Sequence, residues 1–347
     1  MTMPLVTSSA MHKGSEMDGI CPLIDNVCAG RRMARFLVIS TQRSGTHFLA
    51  QRLNVAGSTV ASPGHFVYHA DEALWRMNTS TFGAWCSSTT SYLQDACRAA
   101  PEDANAAGGV IMLTDFFSNG WGEDDTKGIG TQRVIDSLAR ARVRVIWYQR
   151  RNAFHQTVSE LLHQQGQVPL APLIGNAAFA AHLRRERLTV DAETLLWHVD
   201  RHVTSCHHMH RVLDEYNAHG SDRTSYGKWH MAPHMLTWMA AYYEDVHGSV
   251  DELQHFDWIG GVVAQLLAFL GVPHARIAQV SKGHQERDGV DSNQEPKIYL
   301  TAKVHSGCVL QYVVPSEHEL HVTFRGTPYE WMISDGCNYT DSYRSSH

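Results

Sequence analysis

The sequence predicts an α/β protein built on a central parallel sheet, and three observations carry that expectation. Short apolar runs break into polar turns; at least two of those turns resume as helices; and no strand-rich tract intervenes until the C-terminal sixty residues. The 347 residues are 43% hydrophobic and 18% charged, which suits a globular chain with a sizeable core and argues against wholesale disorder.

The first run, Phe36 to Ser40 (FLVIS), has basic residues before it and a turn after it, as a buried parallel strand should. Thr46 to Val55 continues as a helix with Phe48, Leu49 and Leu53 along one side. Gly57 to Gly64 reads as a loop closed by Pro63. Gly109 to Leu113 and Val143 to Tyr148 are the next strands, and the latter leads into a helix over Ala153 to Gln165. Two strand-to-helix units in series imply a three-layer arrangement, in which ligands sit beyond the carboxyl ends of the strands. Arg43 and Arg151 both fall there.

Further helices are expected over residues 191 to 217 and over Gly260 to Leu270, the second stopped by Gly271 and Pro273. From residue 297 the stretches KIYLTAKVH, CVLQYVV and ELHVTFRG alternate at period two, which predicts a small β-rich appendage. The expected division is a flexible N-terminal tail over 1–30, a main domain over 31–285 and a β-rich extension over 286–347.

A net charge of -6 excludes nucleic-acid binding through a general basic field, so any anion must be captured locally. The seven cysteines have no repeated short spacing, which predicts a reduced, cytoplasmic chain. No secretory signal, anchor or spanning segment is evident, so no membrane association is expected.

The turn after the first strand reads Gln42-Arg43-Ser44-Gly45-Thr46-His47. A strand-to-helix turn of this kind aims backbone N–H groups and the positive end of the helix dipole at one point, which makes it an anion site. A nucleoside-triphosphatase loop would carry two glycines and a lysine, with a hydroxyl on magnesium; this turn has one glycine and no lysine. It suits a phosphate better than ATP with magnesium.

The Arg-Ser-Gly-Thr turn resembles the 5′-phosphosulfate loop of sulfotransferases that use 3′-phosphoadenosine 5′-phosphosulfate (PAPS). Residues 150 to 159, RRNAFHQTVS, resemble the element with which that family holds the 3′-phosphate, giving Arg151 at a strand end and Ser159 on the next helix. A serine two helical turns on points back to the side of the arginine, whose guanidinium forks onto phosphate. YYEDV at 242–246 and LLAFLGVP at 266–273 are similar to structural segments of the same family. The likeness covers about residues 34 to 285 and resembles the bacterial trehalose-type branch most.

The resemblance implies a P-loop-like fold and sulfuryl transfer from PAPS to a hydroxyl or amine of a small-molecule or carbohydrate acceptor, releasing adenosine 3′,5′-bisphosphate. Such transfer runs in line and leans on positioning and positive charge, so no metal is required. Gln42, Arg43, Ser44, Gly45, Thr46 and His47 would hold the 5′ end, and Arg151 with Ser159 the 3′-phosphate. Arg43 would also act catalytically on the leaving charge. Lys282 is a candidate from a late loop, with a surface role as its alternative.

In the trehalose-type branch a carboxylate placed after the first helix takes the acceptor's proton. The corresponding run here, SPGHFVYHADE, holds His65 at that position. Histidine is a competent general base near neutrality, and His69 and Glu72 are its substitutes. A loop-lining role for His65 is the plain alternative. Ile111 stands where relatives often carry a lysine, and Trp75, Trp85 and Trp121 fall in segments expected around the acceptor.

Two rival readings remain. A nucleotide or small-molecule kinase would use the first turn for ATP, against the missing lysine. A metal-binding or interaction protein would use the histidines around CHHMH at 206–210, where His198 and His202 are four apart and share a helix side. Acceptor identity and oligomeric state, a homodimer included, are left open by the sequence.

Overall fold

The structure is a computed structural model. It describes residues 21, 28, 31–41, 45–46, 49–50, 53, 67–69, 82–113, 131–165, 187–218, 235–246, 261–278 and 309–338. The elements run β1 (Ala34–Thr41), β2 (Val67–His69), α1 (Phe82–Ala99), β3 (Ala106–Leu113), α2 (Thr131–Arg140), β4 (Arg144–Gln149) and α3 (Ala153–Gln164). They continue with α4 (Ala192–Ala218), β5 (Trp238–Tyr242), α5 (Gly261–Phe269), a 3-10 turn (Val309–Tyr312), α6 (Glu317–Phe324) and α7 (Glu330–Asn338).

The five strands form one parallel sheet in the order β2-β3-β1-β4-β5. β1 is central, and from Phe36 onward its side chains are buried, because helices cover both faces. Leu37 and Ile39 point into one apolar layer with Trp85, Leu138 and Trp147. Phe36 and Val38 point into the other with Leu49, Leu53, Tyr148 and Leu266. The expected three-layer α/β architecture is therefore present. Thr46, Leu49, Ala50 and Leu53 are helical, as the apolar spacing predicts.

β2 ends at His69, opposite Gly108, so beyond that point β3 has no strand neighbour on this side among the described residues. The Val110 N–H there donates to the Tyr92 hydroxyl of α1 at 3.1 Å. Gly109 makes this approach feasible: a Cβ would stand inside contact distance of that hydroxyl.

Four expectations are corrected. The C-terminal segment is not β-rich where it is described: CVLQYVV contains the 3-10 turn and ELHVTFRG contains α6. KIYLTAKVH lies outside the described residues. Nor is the segment an appendage. Tyr312, Val313, Leu320, Phe324 and Ile333 form a third apolar cluster with Phe154, Val158 and Leu162 of α3 and Leu195 and Val199 of α4.

The reduced chain is the second. Cys21 is bonded to Cys86 and Cys28 to Cys97, with Cα separations of 5.6 and 5.5 Å that suit disulfides. The third follows: Cys21 and Cys28 belong to the expected flexible tail, yet both are fixed to α1. Nearby, the Arg31 guanidinium donates to the Ala100 carbonyl at 2.9 Å, to that of Pro101 and to that of Cys97. The fourth is Trp85, which is fully buried in α1 rather than lining an acceptor loop. No helix among the described residues is long and apolar enough to cross a membrane.

Candidate functional site

β1 and β4 are neighbours, with Ser40 in register with Tyr148, so the carboxyl ends of the two strands lie side by side. The Ser40 hydroxyl donates to the Tyr148 carbonyl at 2.7 Å. One residue on, the Gln156 carboxamide of α3 donates to Thr41 Oγ1 at 2.5 Å. The helix after β4 is thus tied to the end of β1.

This edge is unusual in composition. Ser40, Thr41 and Thr46 on the β1 side and Gln149, Asn152, Gln156, Thr157 and Ser159 on the β4 side are all buried and polar. They form most of the buried polar side chains described. Buried polar groups require partners, so a belt of them is retained only where fixed geometry or a ligand uses it. The Tyr148 hydroxyl, fully buried in the same place, meets no hydrogen-bond partner among the described residues. Burial pushes its pKa well up, with Tyr243 adding to the effect and Arg150 opposing it, so it stays protonated.

Of the first turn, Gly45 and Thr46 are described. Gly45 has φ +92°, a conformation natural to glycine, and its carbonyl accepts the Leu49 N–H that starts the helix. The Tyr243 ring lies over it: a Cβ on Gly45 would be 2.7 Å from Tyr243 Cε2. Gln42, Arg43, Ser44 and His47 lie outside the described residues. So do His65, Glu72 and Lys282. His69 is on β2, one strand beyond β3, with its side chain outside the description.

The second turn is described throughout. Arg150 stacks over Tyr243 and Arg151 over Tyr242, each with its guanidinium carbon 4.3 Å from the ring centroid. Arg151 also forks onto Asp245, with both nitrogen-to-oxygen distances 2.7 Å. Glu244 accepts the backbone N–H of Arg151 at 2.9 Å and that of Asn152 at 3.3 Å. A carboxylate is held here for the reason any anion would be, namely the N–H groups and dipole at the start of α3. YYED is therefore more than a structural resemblance: it closes around the second turn. Ser159 is buried on α3.

On the other face, Gln149 donates its amide to His210 Nε2 of α4 at 2.9 Å. An amide nitrogen can only donate, so this imidazole nitrogen is bare. Burial lowers the pKa of His210 in agreement, Asp214 opposing and His207 assisting. Sequence reasoning met His210 only within CHHMH as a possible metal ligand, Glu244 within YYEDV and Asn152 within RRNAFHQTVS, and assigned none of them the contacts seen here. Among the described residues no three His, Cys, Asp or Glu side chains converge to hold a metal. His202 pairs instead with Glu160 at 2.8 Å.

No protein-family model matches this chain, and no curated protein matches it. Among solved structures, the crystal structure of mouse sulfotransferase SULT7A1 complexed with PAP aligns with 95% of this chain and 93% of that chain. Sequence identity is 12% and the TM-score 0.34. A superposition this loose says nothing of the residues at either turn.

Proposed function

We propose that the protein is a sulfotransferase that moves a sulfuryl group from PAPS to a hydroxyl or amine of a small-molecule or carbohydrate acceptor. The observation that carries this reading is the pairing of β1 with β4. It sets the end of β1 beside the end of β4, joined by the Ser40 to Tyr148 bond across 108 residues of sequence, and QRSGT and RRNAFHQTVS are the segments that follow those ends in the chain. A single nucleotide with phosphates at both ends needs two neighbouring anion sites, and the sequences that follow these two strands suit such sites.

In this reading the first turn, with Arg43 and the amides of Ser44 to His47, takes the 5′ end and the charge left on it. Arg151 and Ser159 take the 3′-phosphate. A guanidinium carries five N–H donors, and the fork to Asp245 does not exhaust them. A phosphate at Arg151 would share the arginine with Asp245 or displace it. The acceptor hydroxyl forms the new O–S bond as its proton passes to a base, for which His65 is the candidate; the S–O bond to the bisphosphate breaks and the electron pair leaves with it.

Calorimetry decides between this reading and a kinase. Tight binding of adenosine 3′,5′-bisphosphate without magnesium is expected, with ATP binding much weaker. Magnesium-dependent binding of ATP alone would replace the reading with phosphoryl transfer. Labelled PAPS against a panel of hydroxylated acceptors then identifies the product.

The two disulfides favour an oxidising compartment over the cytoplasm expected from the cysteine spacing. Peptide mass spectrometry without reductant should find Cys21–Cys86 and Cys28–Cys97 in protein from the native source. Free thiols at all four positions would return it to the cytoplasm.

A further inference from the structure

The turn that carries Arg151 is held from three directions, and its next residue is the junction. Asn152 is 2% exposed. Its backbone N–H donates to Glu244, which follows β5. Its side-chain oxygen accepts the His155 N–H at 3.1 Å, capping α3. Its side-chain nitrogen donates to the Met332 carbonyl of α7 at 3.0 Å. The third bond joins the strand-end turn to a segment 180 residues downstream, which no local pattern in the chain places near the site.

That segment is firmly seated. Phe324 of α6 meets Phe154 edge-on, with ring centroids 5.8 Å apart. Leu188 donates its N–H to the Tyr312 carbonyl at 2.7 Å and accepts the Val314 N–H at 3.0 Å. At the start of α7 the Tyr329 hydroxyl donates to Asp200 of α4 at 2.6 Å. α3 therefore lies between the end of β1, reached through Gln156, and the C-terminal helices, reached through Asn152, Phe154 and Val158.

We propose that α6 and α7 are a positioning element of the second anion-binding turn, and that Asn152 is the positioning residue through which they act. The inference rests on the sulfotransferase reading, because the quantity it controls is affinity for the 3′-phosphate. The C-terminal helices hold the first turn of α3 against β1, and Arg151 departs from the sheet at an angle set by that contact.

Two variants test this in the full chain. Asn152→Ser keeps an oxygen for the His155 N–H but cannot reach Met332. Tyr329→Phe loosens α7 from α4 at a point remote from the turn. Calorimetric titration with adenosine 3′,5′-bisphosphate, well below each variant's unfolding midpoint, is read beside the midpoint itself. Asn152→Ser should weaken binding about tenfold and Tyr329→Phe about threefold, as expected for loss of one buried and one exposed hydrogen bond. A merely structural role would lower the midpoint and leave the affinity of the folded protein unchanged, which would overturn the inference. If Asn152→Ser does not fold, Tyr329→Phe decides alone by the same criterion. Absence of binding by the unaltered chain would instead overturn the sulfotransferase reading, and this inference with it.

Discussion

The two turns at the candidate site are closed by different forces. At Gly45 the closure is steric: an aromatic ring rests on a residue without a side chain, in a conformation that other residues adopt at a cost. At Arg151 and Asn152 the closure is electrostatic, since two carboxylates of the same chain occupy the guanidinium and the helix N-terminus. Volume governs the first turn and charge the second. Substitutions should therefore separate them by the kind of change each tolerates.

The largest effect is expected from Gly45→Ala. Left-handed strain and overpacking against Tyr243 together should cost about 2–5 kcal/mol, read as a lower urea midpoint. Pairing it with Tyr243→Ala should recover the overpacking part and leave the strain. A double variant as unstable as Gly45→Ala alone would show that ring contact is not what closes this turn.

Arg151→Ala comes next. It should weaken adenosine 3′,5′-bisphosphate binding by about 1.5–3 kcal/mol, the value of a charge-assisted hydrogen bond, with little change in midpoint. Asp245→Asn probes the same turn from the other side. This half-exposed pair contributes about 0–1 kcal/mol to stability, so the midpoint should barely move. Affinity for the bisphosphate should rise severalfold as the competing carboxylate is neutralised. Weaker binding would mean that Asp245 orients the arginine rather than competing for it.

The smallest effect concerns pH. The folded state lowers the pKa of His210 below the unfolded value of about 6.5, chiefly by burial, so the unfolded chain binds its proton first. The stability this neutral imidazole contributes is complete above that value and is lost as pH falls through the folded pKa, when Nε2 can no longer accept from Gln149. Urea midpoints between about pH 5 and 8 should show an acid-side decline that His210→Gln reduces. An unchanged slope would assign the decline to other groups.

The strands that carry the site were legible because a parallel strand covered on both faces must be an apolar run ending in a polar turn, as FLVIS and VRVIWY do. The C-terminal segment was misread for a definite reason. In ELHVTFRG, Leu320, Val322 and Phe324 fit period two, while Leu320 and Phe324 are also four apart on a helix face. Only Val322, 53% exposed, distinguishes the two patterns. The missed signal was Ser316 with Glu319, a reciprocal capping box that marks a helix start. α1 was obscured by its serines and threonines, weak helix formers, and its disulfide partners lie 65 and 69 residues earlier in the chain. YYEDV was visible as a structural segment, but the capping role of Glu244 was not, because the N–H groups it accepts from lie more than 90 residues upstream and no local pattern records such a contact.

The central place of β1 has a consequence for how the protein comes into being. Both its neighbours are translated after it, so when β1 leaves the ribosome there is no strand for it to join. The end of the sheet that carries the candidate site is assembled only once β4 has been made, and α3 gains its last support when α7 emerges. Until β3 emerges the apolar β1 is unpaired, and until β4 emerges one of its sides stays open, so this parallel sheet depends on long-range pairing and its folding should be slow.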